Sequence, residues 1–247
     1  MITIVPFYKK INSIETSSQL EENQSVIDYQ ESLQMLIKSF LKYNPTGNFK
    51  VATDELTSLS FPEDNLFRSH ISHMPLMESL TVSNTNFVKE NFGKILLCGS
   101  DQLIAKPLDD LFNDNFDVGI LSKGNTVNNT AILVNSNKTN KDRIDSFFKR
   151  REELFYSLNN DYKSWGGDQY SYTLLLKELG IELNSNIFEK RFFQVGKLKI
   201  KIFNYNVDYV YGSKKSGPAF NKLAYIVDFK GSSRKRWIKE IYKTLVQ

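Results

Sequence analysis

Several acidic side chains of this chain of 247 residues stand where apolar segments end. Asp101 follows the apolar run at 94–98, and Pro107 opens a turn shortly after it. A carboxylate at the end of a buried strand suits an oxygen-preferring cation such as Mn²⁺ or Mg²⁺, which can neutralise a diphosphate leaving group. The alternative is that Asp101 only caps a turn.

A second acidic position, Asp228, lies beside basic residues in the C-terminal part of the sequence. Lys230 and Lys235 lie on either side of Gly231, and a glycine allows a phosphate to approach the backbone closely. The ammonium groups of the two lysines are therefore candidate phosphate contacts. The alternative here is a solvated basic helix face with Trp237 packed into the core.

Two further segments carry polar side chains at the start of regular structure. Asp168 and Gln169 follow a glycine pair and open a helix, where the unpaired amides favour aspartate without any function. Asn128 and Asn129 precede the apolar run at 131–134, and their amide groups suit the recognition of sugar hydroxyls. Asparagine pairs are also common in turns, so neither segment decides a function by itself.

Strand-like and helix-like patterns alternate along the sequence. The strands and helices that they predict must position these residues. The alternation predicts an α/β fold, a mostly parallel mixed sheet flanked by helices, in a single domain. The segment 64–92 is predicted to be helical but irregular, and 204–221 to be a functional loop or lid. We expect strands at 2–7, 49–53, 94–98, 118–121, 130–134, 199–203 and 224–229, and helices at 25–43, 141–158, 168–179 and 233–245.

The composition limits the classes of protein that the sequence can represent. Hydrophobic residues make up 40% of the chain and charged residues 24%, as in a soluble globular protein. No run approaches the roughly 20 apolar residues of a membrane helix, and the apolar start is too short for a signal peptide. The single cysteine, Cys98, cannot form an internal disulfide, so we expect a cytoplasmic protein. The sequence also lacks the Gly-x-x-x-x-Gly-Lys-Ser/Thr loop of ATPases and the Gly-x-Gly-x-x-Gly motif of dehydrogenases, so neither class is favoured. The Gly-x-Ser-x-Gly nucleophile turn is also missing.

The sequence around Asp101 resembles the retaining family-8 glycosyltransferases, the group of glycogenin and the lipopolysaccharide galactosyltransferases. In that family a strand ends in an Asp-x-Asp pair and is followed by a Leu-Asp-Glu-Leu-Phe-like turn. Here the triplet is Gly99-Ser100-Asp101, and the turn at 108–112 reads Leu-Asp-Asp-Leu-Phe. The resemblance implies a GT-A fold and transfer of a hexose from a UDP-sugar to an acceptor hydroxyl, on a glycan for example, with retention. It also implies Mn²⁺ or Mg²⁺ as cofactor.

The same resemblance assigns roles to the other polar segments. Asp228 stands where the family has a metal-binding histidine, so Asp101 and Asp228 are the predicted metal ligands. Residues 1–135 are the expected nucleotide-binding half of the domain, and 136–247 the acceptor half with the metal and phosphate motif. The remaining roles are catalytic positioning beside the sugar by Asp168 and Gln169, and substrate binding by Phe7, Tyr8, Asp54, Ser100, Asn128, Asn129, Lys230, Gly231 and Lys235.

Two other functions stay open at this point. The loss of the first acid at Gly99 favours a glycosyltransferase-like module that binds a glycan or a nucleotide without catalysis. The other function is that of a basic surface protein, although the net charge of +4 is small and we expect no nucleic acid partner. The helix at 233–245 is basic and amphipathic, which allows peripheral contact with an anionic membrane. The same pattern is typical of a terminal helix packed on a sheet, and we favour that interpretation.

Overall fold

The computed structural model describes residues 1–11, 27–164, 166–183, 192–204, 210–212, 215–229 and 231–247. Its strands are β1 Ile2–Phe7, β2 Asn48–Phe49, β3 Val51–Asp54, β4 Leu66–Ser69, β5 Gly93–Gly99, β6 Gln102–Ile104, β7 Val118–Lys123, β8 Thr126–Ser136, β9 Phe192–Val195, β10 Leu198–Asn204, β11 Val210–Gly212 and β12 Ile226–Asp228. Its α-helices are α1 Tyr29–Tyr43, α2 Leu76–Glu90, α3 Lys141–Ser157, α4 Asn160–Ser164, α5 Gly167–Glu178, α6 Ser232–Lys235 and α7 Ile238–Val246. Short 3₁₀ turns span Glu63–Asn65 and Asp109–Phe112.

Nine strands form a large mixed sheet in the order β4-β3-β1-β5-β8-β7-β10-β9, with β2 beside β1. The strands β4, β3, β1 and β5 are parallel, as are β7 and β10, whereas β8 is antiparallel to both of its neighbours. Because β8 runs against β5, its first half lies at the carboxyl end of β5, where Ala131 pairs with Cys98. The predicted fold, a mostly parallel mixed sheet flanked by helices, is confirmed.

Apolar side chains cover both faces of the large sheet. On one face, Ile95 and Leu97 of β5 belong to a cluster that includes side chains of α2, α3 and α5. On the other face, Leu96 and Cys98 belong to a cluster with α1 and the 3₁₀ turn after β6. The continuous apolar run of β5 therefore follows from burial on both faces, as is typical of a central strand between two layers of helices.

A small second sheet ties the C-terminal part of the chain to the segment after β5. Its order is β11-β12-β6, with β12 antiparallel to β6, so that Asp228 pairs with Gln102 and Ile226 with Ile104. The amide of Phe229 also donates to the carbonyl of Asp101 at 3.2 Å. This pairing brings the two predicted acidic segments together.

Some elements differ from the sequence-based expectation. The predicted second strand is split at Lys50 into β2 and β3, and the irregular segment 64–92 contains the strand β4 before α2 begins at Leu76. The predicted C-terminal helix is broken at Trp237, whose amide closes a tight turn to the carbonyl of Arg234 at 3.0 Å. In the described ranges no helix combines the length and the apolarity that a membrane span requires.

The last helix, α7, packs its apolar side onto the protein. Ile238, Ile241 and Leu245 are buried in a cluster that includes Met35 of α1. The side chains of Lys42 and of its neighbour Tyr43 both donate to the carbonyl of Leu245, at 2.8 and 3.0 Å. The predicted packing of this helix on the fold is confirmed, because these three apolar side chains are covered by the protein.

Candidate active site

A cavity of about 520 Å³ opens at the carboxyl edge of the large sheet. Its walls come from the ends of β1, β5 and β12, the start of β8, the start of α5 and the loop before α1. Open α/β sheets bind ligands at this edge. The predicted site residues on its lining are Phe7, Tyr8, Ser100, Asp101, Asn129, Asp168, Gln169, Asp228, Gly231 and Lys235.

One wall of the cavity combines an amide with a carboxylate. Gly166, at φ +81°, allows the tight turn that starts α5 and places Asp168 and Gln169 on the lining. The side-chain amide of Asn129 donates to the carboxylate of Asp168. Since Asn129 belongs to β8 and Asp168 to α5, the sheet and the helix together fix a polar surface of the kind that recognises sugar hydroxyls.

The start of α5 is held from behind by a buried arginine. Arg151 of α3 is fully buried, and its guanidinium donates to the carbonyl of Asp168 at 3.2 Å and to Ser171 Oγ at 3.1 Å. It also donates to the carbonyl of Thr81 at 3.3 Å and lies 4.5 Å from the ring centroid of Tyr172. Arg151 therefore links three helices and fixes the backbone that carries Asp168 and Gln169.

The opposite wall contains an ion pair between Lys235 and Asp101. The ammonium group donates to the Asp101 carboxylate and to the carbonyl of Phe229, the latter at 3.1 Å. Lys235 is only 3% exposed, and its Nζ lies 5.6 Å from the ring centroid of Tyr29. Burial disfavours the charged lysine, but the charge and the hydrogen bond of Asp101, with a smaller effect from Asp228, outweigh it and raise the pKa of Lys235. Lys235 is therefore protonated at neutral pH.

Tyr29 responds to the same environment. Burial, followed by the charge of Asp101, raises the pKa of the Tyr29 phenol to about 12, although Lys235 acts in the opposite direction. The phenol is therefore neutral under physiological conditions. It contributes a polar edge to the cavity beside the ion pair.

Asp228 is buried on the same wall, at the end of β12. Its carboxylate lies 3.5 Å from Thr130 Oγ1, and its strand partner is Gln102. The Gln102 side-chain amide donates to the carbonyl of Thr130 at 2.6 Å. Within the described part of the chain, the buried oxygen Oε1 of Gln102 has no hydrogen-bond partner. Asp101 and Asp228 both line the cavity, and the ammonium group of Lys235 contacts Asp101.

Solved structures with the same architecture are glycosyltransferases. The galactosyltransferase LgtC, in complex with donor and acceptor sugar analogues, is 11% identical to this chain with a TM-score of 0.52, over 99% of this chain and 96% of that one. An active-site mutant of LgtC gives 13% identity and a TM-score of 0.51, over 98% and 94%. The apo form of the glycosyltransferase GlyE from Streptococcus pneumoniae is 15% identical with a TM-score of 0.46, and this chain covers 43% of its length. No family model and no curated protein sequence matches.

The fold is that of the GT-A glycosyltransferases. At such low identity the likeness to LgtC concerns the fold alone. In this GT-A fold the cavity lies at the carboxyl end of β5, beside Asp101.

Some predicted residues lie away from the cavity of this GT-A fold. Asp54 is buried and caps a turn, where its carboxylate accepts from the amides of Leu56 and Thr57 at 3.0 and 2.5 Å. Asn128 is also buried, and its side-chain oxygen accepts from the amide of Thr130 at 2.9 Å. The structure does not bring either residue to the lining. Lys230 lies outside the described residues, as does part of the predicted lid at 204–221.

The described residues do not fit the divalent cation that the family-8 resemblance implies. Among them, no three His, Cys, Asp or Glu side chains gather into a group that could hold a metal. Asp101 is paired with Lys235, and a Cβ atom at Gly99 would lie 2.9 Å from Asp101 Oδ1. The place of the first acid of the pair is therefore occupied. Metal binding by Asp101 and Asp228 stays a prediction.

Sequence reasoning missed several lining residues of this GT-A site. Lys9 and Lys10 follow the predicted residues Phe7 and Tyr8 directly, so a search for basic residues at strand ends could have found them. Gln102 comes directly after Asp101, and its role depends on a strand pairing that no local pattern reveals. The same holds for Tyr29, whose place on the lining depends on the packing of α1.

Proposed function

We propose that this protein transfers a hexose from a UDP-sugar to an acceptor hydroxyl, with retention of the anomeric configuration. One observation carries the proposal: a single cavity in a GT-A fold has an amide and carboxylate surface on one wall and lysine ammonium groups on others. The first surface suits a sugar and the second a diphosphate. Its volume lies in the range of about 300–1,000 Å³ that is usual for small-molecule sites.

The residues on the lining divide into three groups by their chemistry. Asp168 and Asn129 would accept from and donate to sugar hydroxyls, with Gln169 beside the anomeric carbon. The ammonium groups of Lys9, Lys10 and Lys235 supply positive charge for the diphosphate. Phe7 and Tyr8 offer aromatic surface at the end of β1, where the family-8 resemblance implies the uridine.

The reaction that we propose uses no enzymic nucleophile. The bond between the anomeric carbon and the phosphate oxygen breaks, and its electron pair stays on the departing UDP. The acceptor oxygen forms a bond to the anomeric carbon on the same face, and its proton goes to the phosphate oxygen that leaves. The protein positions both partners and stabilises the charge on UDP, which is the main means of catalysis in a site of this kind.

A screen of donor hydrolysis tests this proposal. The purified protein would be incubated with UDP-, GDP- and TDP-hexoses, each in EDTA and each with Mn²⁺, and the released nucleoside diphosphate would be measured. We expect release of UDP from at least one UDP-hexose, since a glycosyltransferase can transfer the sugar slowly to water. The screen also tests the Mn²⁺ or Mg²⁺ requirement that the resemblance implies.

The lack of a fitting metal site among the residues that the structure describes favours a second candidate function, that of a binding module without catalysis. Gly99 in place of an acid and the pairing of Asp101 with Lys235 are the observations behind it. This candidate predicts that UDP or a glycan binds, as measured by titration calorimetry, while no donor is hydrolysed under any condition. Binding without turnover across the whole screen would reject the proposed transferase activity and support the binding module.

A further inference from the structure

We propose that the ammonium group of Lys235 takes the place of a divalent cation, so that this protein binds and activates the donor diphosphate without a metal. The inference rests on the proposed function only in taking a nucleoside diphosphate as the ligand of the cavity. It differs from the expectation drawn from the family-8 resemblance, which requires a metal between Asp101 and Asp228.

The position of Lys235 is the first argument. Its Nζ donates to the carboxylate of Asp101, and Asp228 lines the same cavity. One of the two predicted metal ligands is therefore already paired with a cation, and that cation belongs to a side chain. A metal ion bound by Asp101 would have to compete with the ammonium group of Lys235, which is attached to the chain and cannot diffuse away.

The anchoring of Lys235 is the second argument. Its ammonium group is held by the carbonyl of Phe229 as well as by Asp101, and it lies over the ring of Tyr29. Its backbone amide bonds to the carbonyl of Gly231 at 3.2 Å in α6. A lysine that is 3% exposed and held in this way is part of the cavity wall, not a mobile surface side chain.

The third observation concerns the space beside Gly99. A Cβ atom at this position would lie 2.9 Å from Asp101 Oδ1 and 3.4 Å from Gln102 Nε2. Side chains rarely come so close, so an acid at position 99 would require the Asp101 carboxylate to shift from the orientation in which it accepts from Lys235. The absence of the first acid and the presence of the ion pair are therefore two aspects of one arrangement.

The chemistry of the leaving group is the fourth argument. When the anomeric bond breaks, negative charge develops on the phosphate oxygen, and a fixed cation nearby stabilises it. Lys235 stays protonated throughout, transfers no proton and is neither oxidised nor reduced. Lys9 and Lys10 also line the cavity and add positive charge to it, although the Lys9 ammonium group itself donates to the carbonyl of Met74 and to Ser79 Oγ.

Titration calorimetry with UDP tests the inference directly. Wild-type protein treated with EDTA would be titrated with UDP, and the titration repeated with Mn²⁺ in place of EDTA. We expect binding in EDTA with a Kd that Mn²⁺ leaves unchanged. In EDTA, Lys235→Met is expected to weaken UDP binding by at least about tenfold, the effect of removing a charged contact. Lys235→Arg should recover most of it, and the exposed Lys243→Met serves as the matched control.

A double variant separates binding from folding. Lys235→Met alone leaves Asp101 without its counter-charge, whereas Asp101→Asn with Lys235→Met removes both charges and is expected to restore the melting temperature but not the binding of UDP. UDP binding that requires Mn²⁺, or that survives in the folded double variant, overturns the inference.

The screen of donors distinguishes this failure from a failure of the proposed function. Hydrolysis that occurs only with Mn²⁺ supports the proposed transferase activity and rejects the proposal that Lys235 replaces the metal. Binding of UDP in EDTA that depends on Lys235, without hydrolysis of any donor, supports the proposal that Lys235 replaces the metal. The same result rejects the proposed transferase activity.

Discussion

At the scale of single residues, the site depends on charged side chains that lie far apart in the sequence and close together in the fold. Asp101 and Asp228 were visible as acids at the ends of apolar segments, and Asp168 as an acid after a glycine pair at the start of a helix. What each one contacts was not visible, because Asn129, Thr130 and Lys235 reach them only through tertiary packing. Lys235 shows the difference best: its type and its proximity to Gly231 indicated a phosphate contact, and the fold adds a carboxylate partner.

A substitution at Asp101 tests the importance of this partner. Asp101→Asn keeps the shape of the side chain but removes the charge that orients the Lys235 ammonium group. We expect the rate of UDP release from the donor to fall by about a hundredfold, on the scale of a lost preorganised electrostatic group, while the fold is retained. The matched control is Asp109→Asn on an exposed turn, which should leave the rate unchanged. Equal rates for the two variants would contradict this role of Asp101.

The carboxylate of Glu55 gives a prediction about pH. Hydrogen bonds, first that from the Ser72 side chain and also the amides of Ser72 and Ile71, lower the pKa of Glu55 to about 2, although desolvation opposes this. A lowered pKa in the folded state stabilises the protein above the unfolded value of about 4.5, and this contribution is lost as the pH falls toward 2.

Urea unfolding at a series of pH values measures this contribution. The free energy of unfolding of the wild type should fall more steeply than that of Glu55→Gln as the pH drops from about 4.5 to about 2. Glu90→Gln, at the exposed end of α2, is the control and should follow the wild type. Parallel curves for Glu55→Gln and the wild type would mean that the Ser72 contacts do not persist in solution.

At the scale of elements, most strands and helices could be predicted because their signal is local. The continuous apolar run of β5 and the apolar spacing of α1 and α3 are examples. The strands β4 and β6 were missed because each is short and is defined by its partner, β3 in one case and β12 in the other. The break between α6 and α7 was missed because amphipathic spacing continues through Trp237.

The helix α5 owes its position to Arg151, and this gives a prediction for the element as a whole. Arg151→Met keeps much of the volume but removes the buried guanidinium that donates to the carbonyls of Asp168 and Thr81 and to Ser171 Oγ. We expect a loss of about 3 kcal/mol in the free energy of unfolding, measured with urea, together with a loss of donor hydrolysis. Arg150→Met removes only exposed ion pairs and should cost less than about 1 kcal/mol. A stable and active Arg151→Met variant would show that α5 does not need this anchor.

At the scale of the whole molecule, the basic C-terminal region is part of the fold. The apolar side of α7 is packed next to α1, and Lys239 of α7 pairs with Glu31 of α1. We therefore expect no sedimentation of the protein with anionic phosphatidylserine vesicles at physiological salt, with a basic amphipathic peptide as the positive control. Strong association that weakens steeply with added salt would show that this helix leaves the fold to reach a membrane.

The pairing of Asp101 with Lys235 also constrains how the chain acquires its binding activity. The two residues are 134 positions apart, so the loop between them must close before the wall of the cavity exists. Closing a loop of this length costs conformational entropy, and this cost is offset only later, when the strands pair. Folding is therefore slow. After dilution from denaturant, the capacity to bind UDP should therefore return only with the cooperative transition of the entire chain, and no fragment that ends before β12 should show it.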